Sequence, residues 1–432
     1  MKGGTILNLQ LSKRNRTFRN ALIDTTPTIS AERARIVTKV YQEHEHLTPF
    51  AKAALGLKTV LEQMTIEIQD WDLIVGNQAD GLRTSTINPA VNTWIVDELD
   101  RFELRDGSRF LISEKTKECI RRIIPYWQNK NVYDQTMALL PEDTKDAMES
   151  LVFTCGYTLS KGCGHWLVNM ERVLKEGFSG IEAQARQLRS ACDLSDPDGV
   201  DKIPFYDAVI MTCQAVRDFA LRYHRLALEK AKIADEERRK ELLEIAEICR
   251  KVPYEAPTTY HEAVQTVFFL QLLPQIESDG TGISAGRLDM FLYPFYRRDL
   301  DSSRITKAQA EELTDQLWLK IASIIQVWNE EDSKSFGGHP ISQAITLGGM
   351  DELGNDNTNE LSYLMLETTT RVHMAQPSVC CRINRNTPDD FLSLCSEVIR
   401  EGLGMPAMYN DEIAIPSLVS QGIPMDLARK YY

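Results

Sequence analysis

Between residues 345 and 400, short apolar runs alternate with helix-patterned runs, and this alternation limits the fold more than any other feature of the chain. Ile345-Thr-Leu-Gly-Gly349 and Pro377-Ser-Val-Cys-Cys-Arg-Ile383 are too short for helices and are bounded by glycine, proline or polar residues, as buried strands are. Between them, Asp356-Asn-Thr-Asn-Glu360 supplies turn and capping residues for a helix running to about Arg371. Thr387-Pro388-Asp-Asp opens the next helix, since proline suits a first turn and acids suit the N-terminal dipole. The order strand, helix, strand, helix predicts an α/β fold with a parallel sheet or barrel wrapped in helices.

The first 260 or so residues read as a helix-rich layer. Ser30 is placed to cap a helix reaching about Tyr41, and Pro49 to Met64 carries Leu55, Leu57, Val60, Leu61 and Met64 at helical spacing. Asp70 to Gln78 reads as a short buried strand ending at Gly76. Ser113 caps a helix expected to stop before Pro125, with Trp127 in a polar segment beyond it. Phe205 to about Lys251 forms the longest helical block, ended by Pro253 and Pro257, and His261 to Ile276 is apolar with a helical pattern. The expected division is a helical layer over 1–260 and strands with helices over 261–432.

Composition excludes several classes. A chain of 432 residues with 43% apolar and 26% charged residues can bury a large core, and no run approaches the ~18 apolar residues of a membrane span. Met1-Lys-Gly-Gly opens a polar stretch with no apolar segment behind it, so a cytoplasmic protein is expected. A net charge of −13 argues against nucleic-acid or anionic-membrane partners. Lys13, Arg14, Arg16 and Arg19 read as a solvated helix face. Nine cysteines without a CxxC pattern suit reduced thiols, and the vicinal Cys380 and Cys381 suit alternate faces of one buried strand.

Two segments carry polar groups in glycine-rich surroundings. In Gly162-Cys163-Gly164-His165 the glycines let the backbone turn tightly or approach a ligand and leave the imidazole room to face a cavity; a structural histidine fits the same pattern. A Cys163 and His165 nucleophile pair lacks an orienting group. Glu277 to Asp289, with Gly280, Thr281, Gly282, Ser284, Gly286 and Arg287, reads either as a pocket-lining loop or as a turn in which Arg287 and Asp289 pair locally. Gly402-Leu-Gly404-Met-Pro-Ala407 matches a dinucleotide pattern, but a helix precedes it and Pro406 sits where the phosphate helix would begin. No HExxH, P-loop or EF-hand pattern occurs and the seven histidines are scattered, so no metal site is expected.

Ordered blocks along the whole chain resemble the glycyl radical enzymes, the family of pyruvate formate-lyase and the B12-independent glycerol dehydratases. They include Ser30-Ala-Glu-Arg33, Asp70-Trp-Asp-Leu-Ile-Val-Gly76-Asn77-Gln78, Trp94-Ile-Val-Asp97-Glu98, Gly162-Cys-Gly-His165, Gly286-Arg287-Leu-Asp289 and Tyr409-Asn410-Asp411-Glu412. The resemblance implies the N-terminal half of a ten-stranded α/β barrel, assembled in the family from two five-stranded half-barrels, with an incomplete pyruvate formate-lyase-type domain over 1–432. It implies no catalytic residue in this chain, because the family's thiyl cysteine and glycyl glycine lie beyond the position matching Tyr432. No bound cofactor is implied; a radical-SAM activase installs the glycyl radical on the missing part. In the glycerol dehydratase branch the histidine matching His165 contacts a substrate hydroxyl. That branch carries His-Ser where this chain has Thr281-Gly282, which leaves Thr281 as a hydrogen-bond donor, puts glycerol itself in doubt, and makes His165, Thr281 and Gly282 the expected substrate wall. The implied partners are a small-molecule substrate, the activase and, at full length, a second copy. A non-catalytic fragment that pairs with a homologue or a separately encoded C-terminal half is the alternative. A half-barrel alone is expected to expose strand edges and apolar surface.

Overall fold

Helices fill the N-terminal part of the computed structural model, which describes residues 10–150, 152–153, 159, 161–162, 164–335, 339 and 341–431. Lys13–Asp24, Glu32–Glu43, Pro49–Gln63, Met170–Ser190, Pro197–Ala231 and Glu236–Lys251 share one hydrophobic core with the fully enclosed helix Tyr260–Ser278. Val264, Phe268 and Leu272 of that helix are fully buried, as are Gln271 and Gln275. A helix apolar on every face belongs in a core. Gln265 and Gln271 are the exception that the core uses, because their amides bond backbone groups of Val75 and Ile283 that have no ladder partner.

Asp70 to Gln78 shows this and corrects the expected strand. Ile74 and Val75 are fully buried, but the segment joins no sheet. Its backbone is satisfied by side chains instead: the Ile74 amide donates to Gln316 Oε1 at 2.8 Å, the Val75 amide to Gln265 Oε1 at 2.8 Å, and Gln265 Nε2 returns a bond to the Val75 carbonyl at 2.9 Å. Buried backbone must be paired, but a ladder is only one way to pair it.

Other boundaries shift for local reasons. The first strand, β1 (Thr28–Ile29), pairs in parallel with β2 (Thr84–Ser85), so the helix that follows starts at Glu32, with Ser30 Oγ accepting the Glu32 amide at 3.2 Å. Helix Glu114–Trp127 runs through Pro125, because Ile120, Ile123, Ile124 and Trp127 form one buried face worth more than the bond proline removes. Trp127 is not in a polar segment: its Nε1 donates to Thr38 Oγ1 at 2.8 Å inside the core. The 205–251 block is two helices, broken at 232–235, where the Asp235 side chain caps the second by accepting the Arg238 amide at 2.9 Å. The basic N-terminal cluster is only partly solvated. Arg14 pairs with Glu241, and Arg19 Nε donates to the Val372 carbonyl at 2.6 Å, at the carbonyl end of helix Glu360–Val372.

The expected strands are present as β3 (Ala344–Gly348) and β4 (Ser378–Ile383), joined by β5 (Ala407–Asn410) in one parallel sheet of order β3-β4-β5, with Thr346 beside Cys380 and Cys380 beside Ala407. Two glycine-rich segments extend it. Residues 280–286 lie along β3, with Gly286 bridged in parallel to Ile345, the Ala285 amide donating to the Ala344 carbonyl at 2.9 Å and the Thr346 amide to the Gly286 carbonyl at 2.9 Å. Gly162 and residues 164–167 lie along 280–286 through parallel bridges at Gly162 to Gly280 and Leu167 to Ser284. Five parallel segments therefore run in the order 164–167 with Gly162, then 280–286, β3, β4 and β5. The helical layer supplies the first of them. Among the described residues no strand covers the outer edge of β5, whose four residues are all exposed.

Candidate functional site

The two glycines of the Gly-Cys-Gly-His stretch are explained by backbone proximity. A methyl group on Gly162 would stand 1.6 Å from the Ser278 carbonyl oxygen, and one on Gly164 would stand 1.7 Å from that of Thr281. No side chain fits at either position, so the strand can lie against 278–281 only with glycine there. That contact delivers His165. Its amide donates to the Thr281 carbonyl at 2.9 Å, its φ is 58°, and its imidazole stands exposed over Gly282. A methyl group on Gly282, whose own φ is 71°, would meet His165 Nδ1 at 3.0 Å.

His165 and Gly282 are thus brought together on the open face. Thr281 is beside them, but its side chain is buried and its hydroxyl donates to Gln326 Oε1 at 3.1 Å. Gln326 also donates to the Gly280 carbonyl at 2.7 Å and to Gln275 Oε1 at 3.2 Å. These two buried glutamines shape the loop, and no local signal gives them that role, since each sits inside an apolar run and reads as core. Cys163, residues 154–156 and Tyr432 lie outside the described residues.

At the far end of the sheet, Arg287 and Asp289 do not make the local pair considered above. Arg287 donates to the carbonyls of Gly348 at 2.8 Å and Met350 at 3.0 Å, while Asp289 Oδ2 accepts the Gly348 amide at 2.7 Å and the Ser362 hydroxyl at 2.5 Å. Burial, and then the neighbouring Arg382, push the Arg287 guanidinium down to about 10, and burial raises the Asp289 carboxyl. Arg382 grips Asp411 as a two-pronged pair, 2.7 Å at Nε and 3.0 Å at Nη2, and Asp411 accepts the Met350 amide at 2.7 Å. The loop after β3 is therefore fastened to both of its neighbours.

On the open face of β3 and β4 the half-buried residues are Ala344, Thr346, Ser378 and Cys380, all small. Cys381 points the other way and is fully buried, so the two thiols do take opposite faces. Burial raises the Cys380 thiol, and a hydrogen bond with Cys395 followed by burial raises that of Cys381. Neither is a thiolate nucleophile at neutral pH.

The fold and this site define an α/β half-barrel class. The chain belongs to the pyruvate formate lyase-like family, whose model matches residues 10–432. An Escherichia coli (strain K12) relative described as "Probable dehydratase YbiW" is 34% identical over 424 residues, covering 96% of this chain and 52% of that protein. The glycerol-bound B12-independent glycerol dehydratase from Clostridium butyricum superposes with a TM-score of 0.95 at 37% identity, over 99% of this chain and 54% of that one. A glycyl radical enzyme from Archaeoglobus fulgidus gives 0.92 at 34% identity, over 97% and 54%. This chain spans about half the length of the relatives it matches, and its five parallel segments are accordingly half of their α/β barrel. No helix among the described residues is long and apolar enough to cross a membrane.

Proposed function

We propose that this chain forms part of the substrate wall of a glycyl radical dehydratase or lyase acting on a small hydroxylated molecule. The observation that carries this is His165, held exposed over Gly282 by a strand that only glycines allow to approach. The likeness to a glycerol-bound dehydratase supports it. In this reading the remaining half of the barrel carries the cysteine and the glycine, a radical-SAM activase acts on that half, and the full-length protein is a cytoplasmic homodimer. The radical supplies hydrogen abstraction from the substrate. His165 receives the substrate hydroxyl in hydrogen-bond contact and protonates it as it leaves as water. Closure of the barrel over the small residues Ala344, Thr346, Ser378 and Cys380 keeps water from the reacting atoms. Thr281 acts through its carbonyl, which anchors the His165 strand, rather than through its hydroxyl.

A second reading is favoured by the uncovered edge of β5: this chain acts as a piece that pairs with a homologue or a separately made second half. Anaerobic incubation with an activase, read by electron paramagnetic resonance, tests the first reading. The 432-residue chain alone is expected to give no glycyl doublet. Together with the remaining half it should give a doublet and turn over a diol, and His165→Ala should lower kcat by about 10²–10⁴ while leaving the doublet intact. A doublet on this chain alone, or full turnover by the His165→Ala protein, would refute it.

A further inference from the structure

Helices Val132–Leu139 and Glu142–Glu149 differ from their neighbours in that neither buries a single side chain. Helices this short are marginal in water and draw their stability from a packed face, so a pair without one is incomplete as it stands. The first helix has such a face ready. Val132 and Leu139 are seven residues apart, on one side of the helix, and are 51% and 85% exposed. One exposed leucine needs no cover, but two successive helices with nothing buried do.

The pair is firmly rooted. Asn131 is fully buried, its Oδ1 accepts the Asp134 amide at 2.8 Å to cap the first helix, and the Val132 and Tyr133 amides donate to the carbonyls of Ala90 and Val91 at 3.0 and 2.9 Å. The same loop reaches the outer side of the sheet, where Asn92 Nδ2 donates to the Leu159 carbonyl at 3.0 Å, three residues before Gly162. The two helices therefore spring from a loop that borders the outermost segment of the sheet, on the edge opposite β5.

Two observations choose what covers them. The sheet is half of a barrel and the chain spans about half the length of its relatives, so the 164–167 edge, like β5, is a seam that the other half closes, and the helices are continuous with that seam. Charge disfavours a symmetric contact between two copies: Asp134, Glu142, Asp143, Asp146 and Glu149 stand against Lys145, and a two-fold interface would set this negative surface against itself. We infer that residues 131–149 are a docking arm for the other half of the barrel, which receives Val132 and Leu139 in an apolar groove with a basic rim. The inference rests on the half-barrel and not on the chemistry proposed above.

The test reads amide hydrogen exchange at 132–149 and at Ala407–Asn410 in one experiment, on this chain before and after addition of a polypeptide spanning the half of the glycerol-bound dehydratase that it leaves unmatched. In this chain alone the arm should exchange fast, and with the other half present it should slow by at least about tenfold, together with β5. Leu139→Lys places a cation at the carbonyl end of its helix, so it should leave the melting temperature of this chain unchanged while weakening the complex at least about tenfold in Kd. Protection of β5 without protection of the arm would overturn the arm and leave the half-barrel standing, whereas protection of neither would remove the half-barrel partner and the arm with it. Slow exchange at 132–149 before any addition, or a melting temperature lowered by Leu139→Lys, would show that the arm is already packed and overturn it too. An unchanged Kd with reduced self-association of the Leu139→Lys chain would assign the surface to a second copy instead.

Discussion

The helix Tyr260–Ser278 and the strand β5 are opposite extremes of one chain. In the helix even the glutamines are enclosed, whereas all four residues of β5 are exposed, and the segments after it present Ile413 at 70% exposure with Met425 and Leu427 also in solvent. Both regions are apolar, so composition does not separate them. The difference is completion: the helical layer closes its core with residues this chain contains, while the sheet has an edge and a face for which the described residues hold no cover.

Paired truncations would break that contrast most sharply. Phe268→Ala should cost about 3–5 kcal/mol in denaturant unfolding, from lost burial and an unfilled cavity. Ile413→Ala should change stability by no more than about 0.5 kcal/mol. Equal costs would mean that the sheet's face is covered after all. Gly282→Ala comes next, at about 1–2 kcal/mol, because it forces a side chain into the left-handed region and against the imidazole; a shift of the His165 resonance should accompany the loss.

A pH effect is expected at the junction of the two regions. Burial pushes the Asp315 carboxyl up to about 6, although Arg371 Nη2 stands 2.7 Å away and pulls it down. The folded value lies above the unfolded one, so this group favours the folded state most at low pH. That contribution is lost as pH rises from about 4 to about 6. Asp315→Asn should flatten the stability profile over that interval, measured by thermal melts in matched buffers. The smallest effect on stability, and the clearest on association, belongs to Met408→Lys with Ile413→Lys. These changes should leave unfolding within about 0.5 kcal/mol of the parent while reducing self-association in sedimentation velocity.

How much of this was legible in the sequence followed the range of the forces involved. Strands β3 and β4 and the helices between and after them are set by caps, turns and runs within a few residues, and they lie where the local pattern puts them. Residues 164–167 and 280–286 join the sheet only because they pair with each other, more than a hundred residues apart in sequence, and because 280–286 pairs with β3, about sixty residues on; their glycines read as turns. Asp70 to Gln78 failed in the other direction, since its apolar run looked like a strand while Gln265 and Gln316 supplied its hydrogen bonds. His165 was visible as a glycine-flanked imidazole, but the reason for the glycines was not: they admit the backbone of 278–281. The pairs of Arg382 with Asp411 and Lys161 with Asp279 had no local signal at all.

The edge of β5 offers the most direct measurement of whether this sheet is half of a barrel. Amide hydrogen exchange at Ala407–Asn410 should be fast for the groups facing away from β4 in this chain alone. On addition of a polypeptide spanning the other half of the relatives' length, those same amides should slow by at least about tenfold as a strand docks on them. Slow exchange before any addition, or no change after a complex has formed, would contradict the half-barrel.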